Sequence, residues 1–177
     1  PNYKRAETCC LYSLIIYGHR RDLFYILLRR NKMEIYSTVS GKVVCLEDVS
    51  DPVFSEKMAG DGVGIIPDSS IICSPVDGVV SMLFPTKHAI GIHCQDNTDI
   101  LIHIGIDTVE LEGKPFITKV KKGDQVKIED PLIQADFKAI KNAGYDITTL
   151  LLVVNKKVEI IKKSGYVETG EYILESQ

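Results

Sequence analysis

The stretch "KHAIGIHCQDNTDILIHIGID" at residues 87–107 carries three of the four histidines in this 177-residue chain. Two runs of alternating apolar residues flank the tetrapeptide QDNT, in which Asp96 and Asn97 both tolerate the left-handed backbone of tight turns. The pattern predicts an antiparallel hairpin with these two residues at its tip and Gln95 opposite Thr98. The stretch thus indicates a β fold and raises the question of which histidines meet.

The register of this hairpin decides which histidines share a face. In the predicted register Ile90 opposes His103, and His88 opposes Gly105. His88 and His103 then share one face as diagonal neighbours about 7–8 Å apart at the backbone, whereas His93 points to the other face. Two imidazoles on an apolar face are costly unless their nitrogens have partners or a function. We therefore predict a functional pair, His88 and His103, and no special role for His93.

From Met33 onward the chain continues as short runs rich in valine and isoleucine, separated by turn residues. This pattern predicts an all-β fold, a compact antiparallel β-sandwich or barrel-sandwich hybrid. The expected strands are Lys42–Leu46, Gly62–Ile66, Val79–Phe84, Ala89–Cys94, Ile100–Ile106, Pro115–Val120, Gln125–Ile128, Leu132–Ala135, Leu150–Val154, Val158–Ile161 and Tyr172–Leu174.

Weak internal repeats accompany the strands. "TVSGKVV" at 38–44 resembles "PVDGVVS" at 75–81, and "KKGDQVKIEDPLI" at 121–133 resembles "KKSGYVETGEYIL" at 162–174. Similar motifs of this kind predict an approximate internal duplication, although short β-hairpins also resemble one another by chance.

Helix is expected at only two places. In "SDPVFSEKMAG", Ser50 or Asp51 is a suitable N-cap and Pro52 suits the first helical position. The second candidate is "DFKAIKNAG" at 136–144, which Gly144 ends.

The composition narrows the class of protein. The net charge is −3, and no basic stripe suggests that the chain binds nucleic acid or anionic membranes. The cysteines lack the spacing of a disulfide framework, so we expect free thiols in a reducing compartment, with Cys45 and Cys73 buried in strands.

Residues 1–32 form a leader of doubtful status. Their apolar pieces, 9–18 and 23–28, are each shorter than the roughly 20 residues that span a bilayer, so we expect no direct membrane insertion. We interpret the leader as poorly ordered, arising either from translation upstream of a start at Met33 or from a linker of a larger membrane-bound chain. The functional domain is then 33–177.

A histidine pair suits two kinds of chemistry. The first is metal binding, for which Asp107 is a possible third ligand, although the sequence has neither H-E-x-x-H nor H-x-H. The second is covalent catalysis, in which one imidazole attacks and the other stabilises developing charge. A neutral imidazole near pH 7 is nucleophilic, which suits the second use.

Four motifs together resemble a known family: "DPVFSEKMAGDGVGI" at 51–65, "SPVDGVV" at 74–80, "FPTKHA" at 84–89 and "HIGIDTVEL" at 103–111. They are similar to the glucose-type enzyme IIA, or A component, of the bacterial phosphoenolpyruvate-dependent sugar phosphotransferase system. The similarity runs from about Glu34 to the C-terminal strand.

The resemblance implies a cytoplasmic phosphocarrier, active at the inner face of the membrane, that needs no cofactor or metal. His103 would carry the phosphoryl group and His88 would stabilise it. Thr86 would orient His88, and the backbone carbonyl of Gly105 would orient His103. The phosphoryl group would come from the phosphocarrier HPr and pass to a cysteine of the permease B component.

The resemblance also implies a docking surface for these partners, with possible regulatory targets on the same surface. Phe54 and Phe84 match its apolar centre, and Asp51 and Asp107 match its acidic rim. Core packing of the two phenylalanines and turn capping by Asp107 are the alternative interpretations.

Two other functions remain open at this point. A zinc peptidase of the duplicated β-sandwich type would need an H-x-H pair, which the sequence lacks. A lipoyl-like carrier would share the turns of "VKKGDQVKIEDPLI", in which Gly123 and Asp124 form the bend, but the modified lysine of such carriers has no counterpart at the tip.

Overall fold

The computed structural model describes residues 32–177. The prediction for the leader falls almost entirely on residues outside this range. The described chain consists of fourteen strands, two short α-helices and two 3₁₀ helices. The strands are β1 Met33–Tyr36, β2 Gly41–Cys45, β3 Asp61–Pro67, β4 Ile71–Cys73, β5 Gly78–Leu83, β6 Ala89–His93, β7 Asp99–Ile104, β8 Phe116–Thr118, β9 Gln125–Val126, β10 Pro131–Ala135, β11 Thr149–Val153, β12 Val158–Ile160, β13 Gly165–Val167 and β14 Tyr172–Ser176.

All strand pairs are antiparallel, and they form three sheets. The largest sheet has the order β13-β2-β3-β11-β7-β6-β5-β9, and the two smaller ones are β1-β14-β12 and β4-β10-β8. Isoleucine and leucine side chains from all three sheets meet in one apolar core. The prediction of an all-β, sandwich-like fold is confirmed.

The strand order also shows the internal duplication. Read inward from one edge, the large sheet begins β13-β2-β3-β11, and read inward from the other edge it begins β9-β5-β6-β7, so these strands match in that order. The small sheets β1-β14-β12 and β4-β10-β8 match in the same way. The repeated sequence motifs lie on matching strands, β2 with β5 and β10 with β14. The duplication therefore covers the sheets as a whole and is not limited to similar hairpins.

The hairpin of β6 and β7 differs from its predicted register by one residue. The loop holds three residues, because the Cys94 amide donates to the Thr98 carbonyl at 2.9 Å and Asn97 takes a left-handed φ of 62°. The predicted two-residue tip was therefore wrong. In the observed register Ala89 opposes His103.

This register changes the placement of two histidines. His93 lies on the same face as His103, contrary to the prediction, but about four residues and 13 Å along the strand. There its Nδ1 lies 2.6 Å from the Asp99 carboxylate. His88 lies just before β6 and just after Lys87, which has a left-handed φ of 57°. The direction of the His88 side chain therefore does not follow from the alternation of side chains along the strand.

Strands β7 and β11 build the surface under the histidines. Ile100, Ile102 and Ile104 of β7 point into the main core, so Leu101 and His103 emerge on the opposite face. On that face a second apolar cluster forms, to which β11 contributes. Its buried members are Leu46, Val49, Phe54, Ile106, Leu150 and Leu152.

The two predicted α-helices are present. The first, α1 (Pro52–Ser55), begins after Asp51, whose Oδ1 accepts a hydrogen bond from the Val53 amide at 2.8 Å. The second, α2 (Phe137–Asn142), is capped by Asp136 and followed by the left-handed Gly144. The 3₁₀ helices, Leu46–Asp48 and Thr108–Leu111, were not predicted.

Three cysteines lie within the described residues, and all three are free. Cys73 is buried as predicted, whereas Cys45 is only half-buried. Cys94 is also buried, and burial raises the pKa of its thiol to about 12. Burial also raises the pKa of the Cys73 thiol, so the two buried thiols are poor nucleophiles.

Candidate functional site

His103, at the end of β7, is held by the backbone that follows it. Its Nδ1 lies 2.8 Å from the carbonyl oxygen of Gly105. Because a carbonyl can only accept, Nδ1 must carry the proton in this hydrogen bond. A neutral His103 therefore keeps its unprotonated lone pair on Nε2.

The carbonyl reaches the ring because the chain reverses sharply after Ile104. Gly105 has a left-handed φ of 74°, and Asp107 follows with a φ of 56°. A Cβ at Gly105 would lie 2.5 Å from Thr108 Cγ2, so a larger residue does not fit. The hydroxyl of Thr108, which is fully buried, donates to the Ile104 carbonyl and closes the turn.

His88 arrives from the loop between β5 and β6. The Lys87 amide donates to the Phe84 carbonyl at 2.8 Å, which makes a tight turn with Pro85 in the position that favours proline. The turn places the Thr86 hydroxyl 2.7 Å from Nδ1 of His88. The His88 carbonyl accepts from the Ile104 amide at 2.7 Å, which fixes this loop to β7.

The two imidazoles meet at the surface of the sheet. Their ring centroids are 4.8 Å apart, and the rings are nearly perpendicular, at 80°. Phe54 of α1 packs on His103 at 4.9 Å, and Phe84 packs on His88 at 5.2 Å. Phe54 is 5% exposed and Phe84 is 38% exposed, so Phe54 supports the pair from beneath and Phe84 borders it at the surface.

The surroundings keep both imidazoles neutral. Burial lowers the pKa of His88. For His103, burial and the neighbouring His88 ring lower the pKa to about 4, against opposing effects from the Gly105 carbonyl and the carboxylates of Asp51 and Asp107. At neutral pH His103 is therefore an uncharged imidazole with a free lone pair.

Both Nε2 atoms are open to an incoming group. The only hydrogen bonds of the two imidazoles within residues 32–177 are those at Nδ1. Neither Nε2 atom therefore has a hydrogen-bond partner among residues 32–177. The site thus presents two adjacent Nε2 atoms, and the hydrogen bond at each Nδ1 fixes the orientation of its ring.

The structure brings together most of the predicted site residues. His103 bonds to Gly105, His88 bonds to Thr86, and the two rings are in contact. Phe54 and Phe84 flank this histidine constellation. The carboxylates of Asp51 and Asp107 lie close enough to raise the pKa of His103. Asp51 also caps α1, and Asp107 begins a 3₁₀ helix without a side-chain cap. Partner binding by the phenylalanines and aspartates stays a prediction.

Some supporting residues were not found from the sequence. Thr108 closes the turn that aims the Gly105 carbonyl, and Leu150 lies directly opposite His103 on β11. The motif "HIGIDTVEL" contains Thr108 and gave a signal for it. Leu150 lies 47 positions further along the chain, and only the strand pairing shows that the two residues meet.

Comparison with known proteins identifies the family to which the chain belongs. The family model for "phosphoenolpyruvate-dependent sugar phosphotransferase system, EIIA 1" matches residues 33–158. This chain is a member of that EIIA family. The match includes the whole histidine constellation, from Asp51 to Thr108.

Individual EIIA relatives agree with the family match. A glucose-specific EIIA component from Buchnera aphidicola is 41% identical, covering 86% of this chain and 96% of that protein. A glucose-specific EIICBA component from Streptococcus pneumoniae is 49% identical over 77% of this chain, which spans about a fifth of that longer protein. The solved structure of glucose permease IIA from Mycoplasma capricolum superimposes with a TM-score of 0.78 and 35% identity, covering 81% and 95% of the two chains.

No group of three or more histidine, cysteine, aspartate or glutamate side chains within residues 32–177 could hold a metal ion. No helix in the same range is long and apolar enough to cross a membrane.

Proposed function

We propose that this EIIA domain is a phosphocarrier that accepts a phosphoryl group from phosphorylated HPr on Nε2 of His103. It then passes the group to a cysteine of the permease B component. The observation that carries the proposal is the pairing of two adjacent imidazoles, each bonded at Nδ1 and each with no hydrogen bond at Nε2 within residues 32–177. A sugar phosphotransferase component needs such a site, because it must hold a phosphoryl group without releasing it to water.

In the first half-reaction the lone pair on Nε2 of His103 attacks the phosphorus of the donor phosphohistidine. The new P–N bond forms as the donor's P–N bond breaks, and the donor imidazole retains that electron pair. Since Nε2 of neutral His103 carries no proton, the attack needs no base. The Gly105 carbonyl holds the Nδ1 proton and keeps Nε2 aimed outward.

His88 would stabilise the phosphoryl group during transfer. This role requires the tautomer in which the Thr86 hydroxyl donates to Nδ1 and the proton of neutral His88 lies on Nε2. That N–H can donate to a phosphoryl oxygen beside His103, at a ring separation of 4.8 Å. Phosphoryl transfer depends mainly on positioning and charge stabilisation, so these two rings suffice without a cofactor.

In the second half-reaction the thiolate of the B-component cysteine attacks the same phosphorus. The P–S bond forms, the P–N bond to His103 breaks, and the lone pair returns to Nε2. Phe84, 38% exposed beside His88, and the carboxylates of Asp51 and Asp107 lie where both partners would dock in turn. An apolar centre with a charged rim suits such transient contacts at the cytoplasmic face of the membrane.

The direct test is phosphorylation from phosphoenolpyruvate with enzyme I and HPr, followed by mass spectrometry under non-acidic conditions. We expect one phosphoryl group on His103 in the wild type and none on His103→Ala. His93→Gln is the matched control, because this histidine is exposed but lies at the end of β6, far from His103 and bonded to Asp99. It should be labelled like the wild type.

Onward transfer to a B component tests the role of His88. The variant His88→Gln should accept phosphate but pass it on slowly, because a donor at the phosphoryl oxygen is misplaced. No label on the wild type, or full labelling of His103→Ala, would refute the phosphocarrier. Rapid onward transfer by His88→Gln would refute the stabilising role.

A further inference from the structure

The peptide unit between Gly105 and Ile106 is bonded on both sides. Its carbonyl accepts from Nδ1 of His103 at 2.8 Å, and its amide donates to the Asp146 carbonyl at 3.0 Å. In a planar trans peptide the C=O and N–H point in opposite directions. Fixing the amide on Asp146 therefore fixes the direction in which the carbonyl meets His103.

The three groups form a continuous hydrogen-bonded chain. It runs from the Asp146 carbonyl through the Gly105–Ile106 peptide to Nδ1 of His103. Each hydrogen bond in such a chain polarises the next, so the Asp146 carbonyl makes the Gly105 oxygen a better acceptor. A better acceptor favours the protonated Nδ1 and hence the free lone pair on Nε2.

The Asp146 segment is itself held in one conformation. Oδ1 of Asp146 accepts from the Thr148 amide at 2.8 Å and from the Thr148 hydroxyl at 2.7 Å. The Thr148 carbonyl in turn accepts from the Gly105 amide at 3.2 Å. A Cβ at Gly105 would lie 2.7 Å from the Asp146 carbonyl oxygen, so the two segments touch.

We propose that Asp146 is a positioning residue for His103. Its carboxylate folds the segment 146–148 so that the main-chain carbonyl sets the Gly105–Ile106 peptide, and through it the tautomer and orientation of the imidazole. The role in transfer rests on the phosphocarrier function proposed above, but the tautomer is observable without any transfer. Asp146 does not contact the phosphoryl group.

The test compares Asp146→Ala with Asp146→Asn. Asparagine retains an Oδ1 acceptor for Thr148, whereas alanine removes it. Ring ¹⁵N spectra at neutral pH should show one His103 tautomer, protonated at Nδ1, in the wild type and in Asp146→Asn. In Asp146→Ala the two ring nitrogens should move towards averaged shifts, and the rate of phosphorylation by HPr should fall by roughly tenfold, as for outer partners of metal-bound histidines.

The chain offers a matched control in a second Asp-x-Thr motif. Asp96 accepts from the Thr98 amide at 3.0 Å and from the Thr98 hydroxyl at 2.7 Å, at the hairpin tip before β7. Asp96→Ala removes the equivalent bonds, together with an ion pair between Asp96 and Lys156, at the opposite end of the strand from His103. It should leave the His103 tautomer and the phosphorylation rate unchanged.

Thr148→Val supplies a second perturbation in case Asp146→Ala does not fold. It removes one of the two bonds to Asp146, and Thr148→Ser retains both. The proposal would be overturned if Asp146→Ala and Thr148→Val both kept the wild-type tautomer and phosphorylation rate. It would also be overturned if Asp96→Ala changed the tautomer and rate as much as Asp146→Ala. If the tautomer changes as expected but the wild type accepts no phosphate, the positioning stands and the phosphocarrier function fails.

Discussion

Replacing Gly105 with alanine should destabilise the domain and misalign His103. Gly105 has a φ of 74°, where a residue with a Cβ costs roughly 1–2 kcal/mol. The new Cβ would lie 2.5 Å from Thr108 Cγ2 and 2.7 Å from the Asp146 carbonyl, and relieving such overpacking costs a further 1–3 kcal/mol or so. Reduced freedom of the unfolded chain returns about 0.4–1 kcal/mol. The expected net loss is about 2–4 kcal/mol.

Gly123→Ala is the matched control for backbone strain alone. Gly123 has a φ of 94°, and a Cβ there would meet nothing within 4 Å. The backbone strain of alanine at positive φ and the entropy lost by the unfolded chain are similar to those at Gly105, but no neighbouring atom is overpacked. The expected loss is about 1 kcal/mol or less.

Urea denaturation monitored by circular dichroism measures both losses. With a slope of about 2 kcal/mol per molar urea, the unfolding midpoint of Gly105→Ala should lie roughly 0.5–1.5 M below that of Gly123→Ala. Gly105→Ala should also be phosphorylated more slowly, whereas Gly123→Ala should react like the wild type. Equal midpoints would contradict the close approach of Gly105 to Thr108 and Asp146.

Three further predictions concern the same constellation. Thr86→Val removes the hydroxyl beside Nδ1 of His88 and should slow onward phosphoryl transfer roughly two- to tenfold, as expected for a loss of about 0.5–1.5 kcal/mol. Thr86→Ser retains a hydroxyl and should transfer at the wild-type rate, and a rapid-quench assay measures both. The His103 imidazole should stay neutral on acidification to about pH 4 and protonate below it in an NMR titration; His88→Ala should raise that pKa, because the His88 ring helps to lower it. Asp51→Ala should lose about 1 kcal/mol with the cap of α1, in urea denaturation, whereas Asp51→Asn should keep most of that stability.

The sequence was informative where the signal is local. The cap at Asp51 with Pro52 identified the first helix, and the terminator Gly144 marked the end of the second, since these signals depend on residues within one turn. All eleven expected strands have counterparts, and β4 contains Cys73, which was expected to lie in a strand, whereas β1 and β13 were not predicted.

The histidine pair was predicted from a register that proved wrong. The three-residue loop with left-handed Asn97 shifts β6 against β7 by one position, and sequence alone does not separate it from a two-residue turn. His88 nevertheless reaches His103 because it precedes β6, beyond the left-handed Lys87. The hairpin argument thus reached the right pair from a wrong register, and the family motifs indicated the same two residues.

The supporting residues of the site could not be predicted in the same way. Asp146 acts through its main-chain carbonyl, which every residue type possesses, so its identity reveals only the side-chain bonds to Thr148. Leu150 opposes His103 through strand pairing between segments far apart in sequence. Both depend on long-range contacts that appear only once the sheet is assembled.

The pairing of β1 with β14 brings Met33 opposite Ser176. The first and last strands of the described chain are therefore neighbours, and the chain enters and leaves the sheets at adjacent points. A unit of this kind can be spliced onto other polypeptides at either end without rearranging its interior. This explains how one fold is compatible with a match that makes up 96% of one relative and 19% of another. It also suggests that a circular permutant, with these ends joined and an exposed loop opened, would retain the histidine pair.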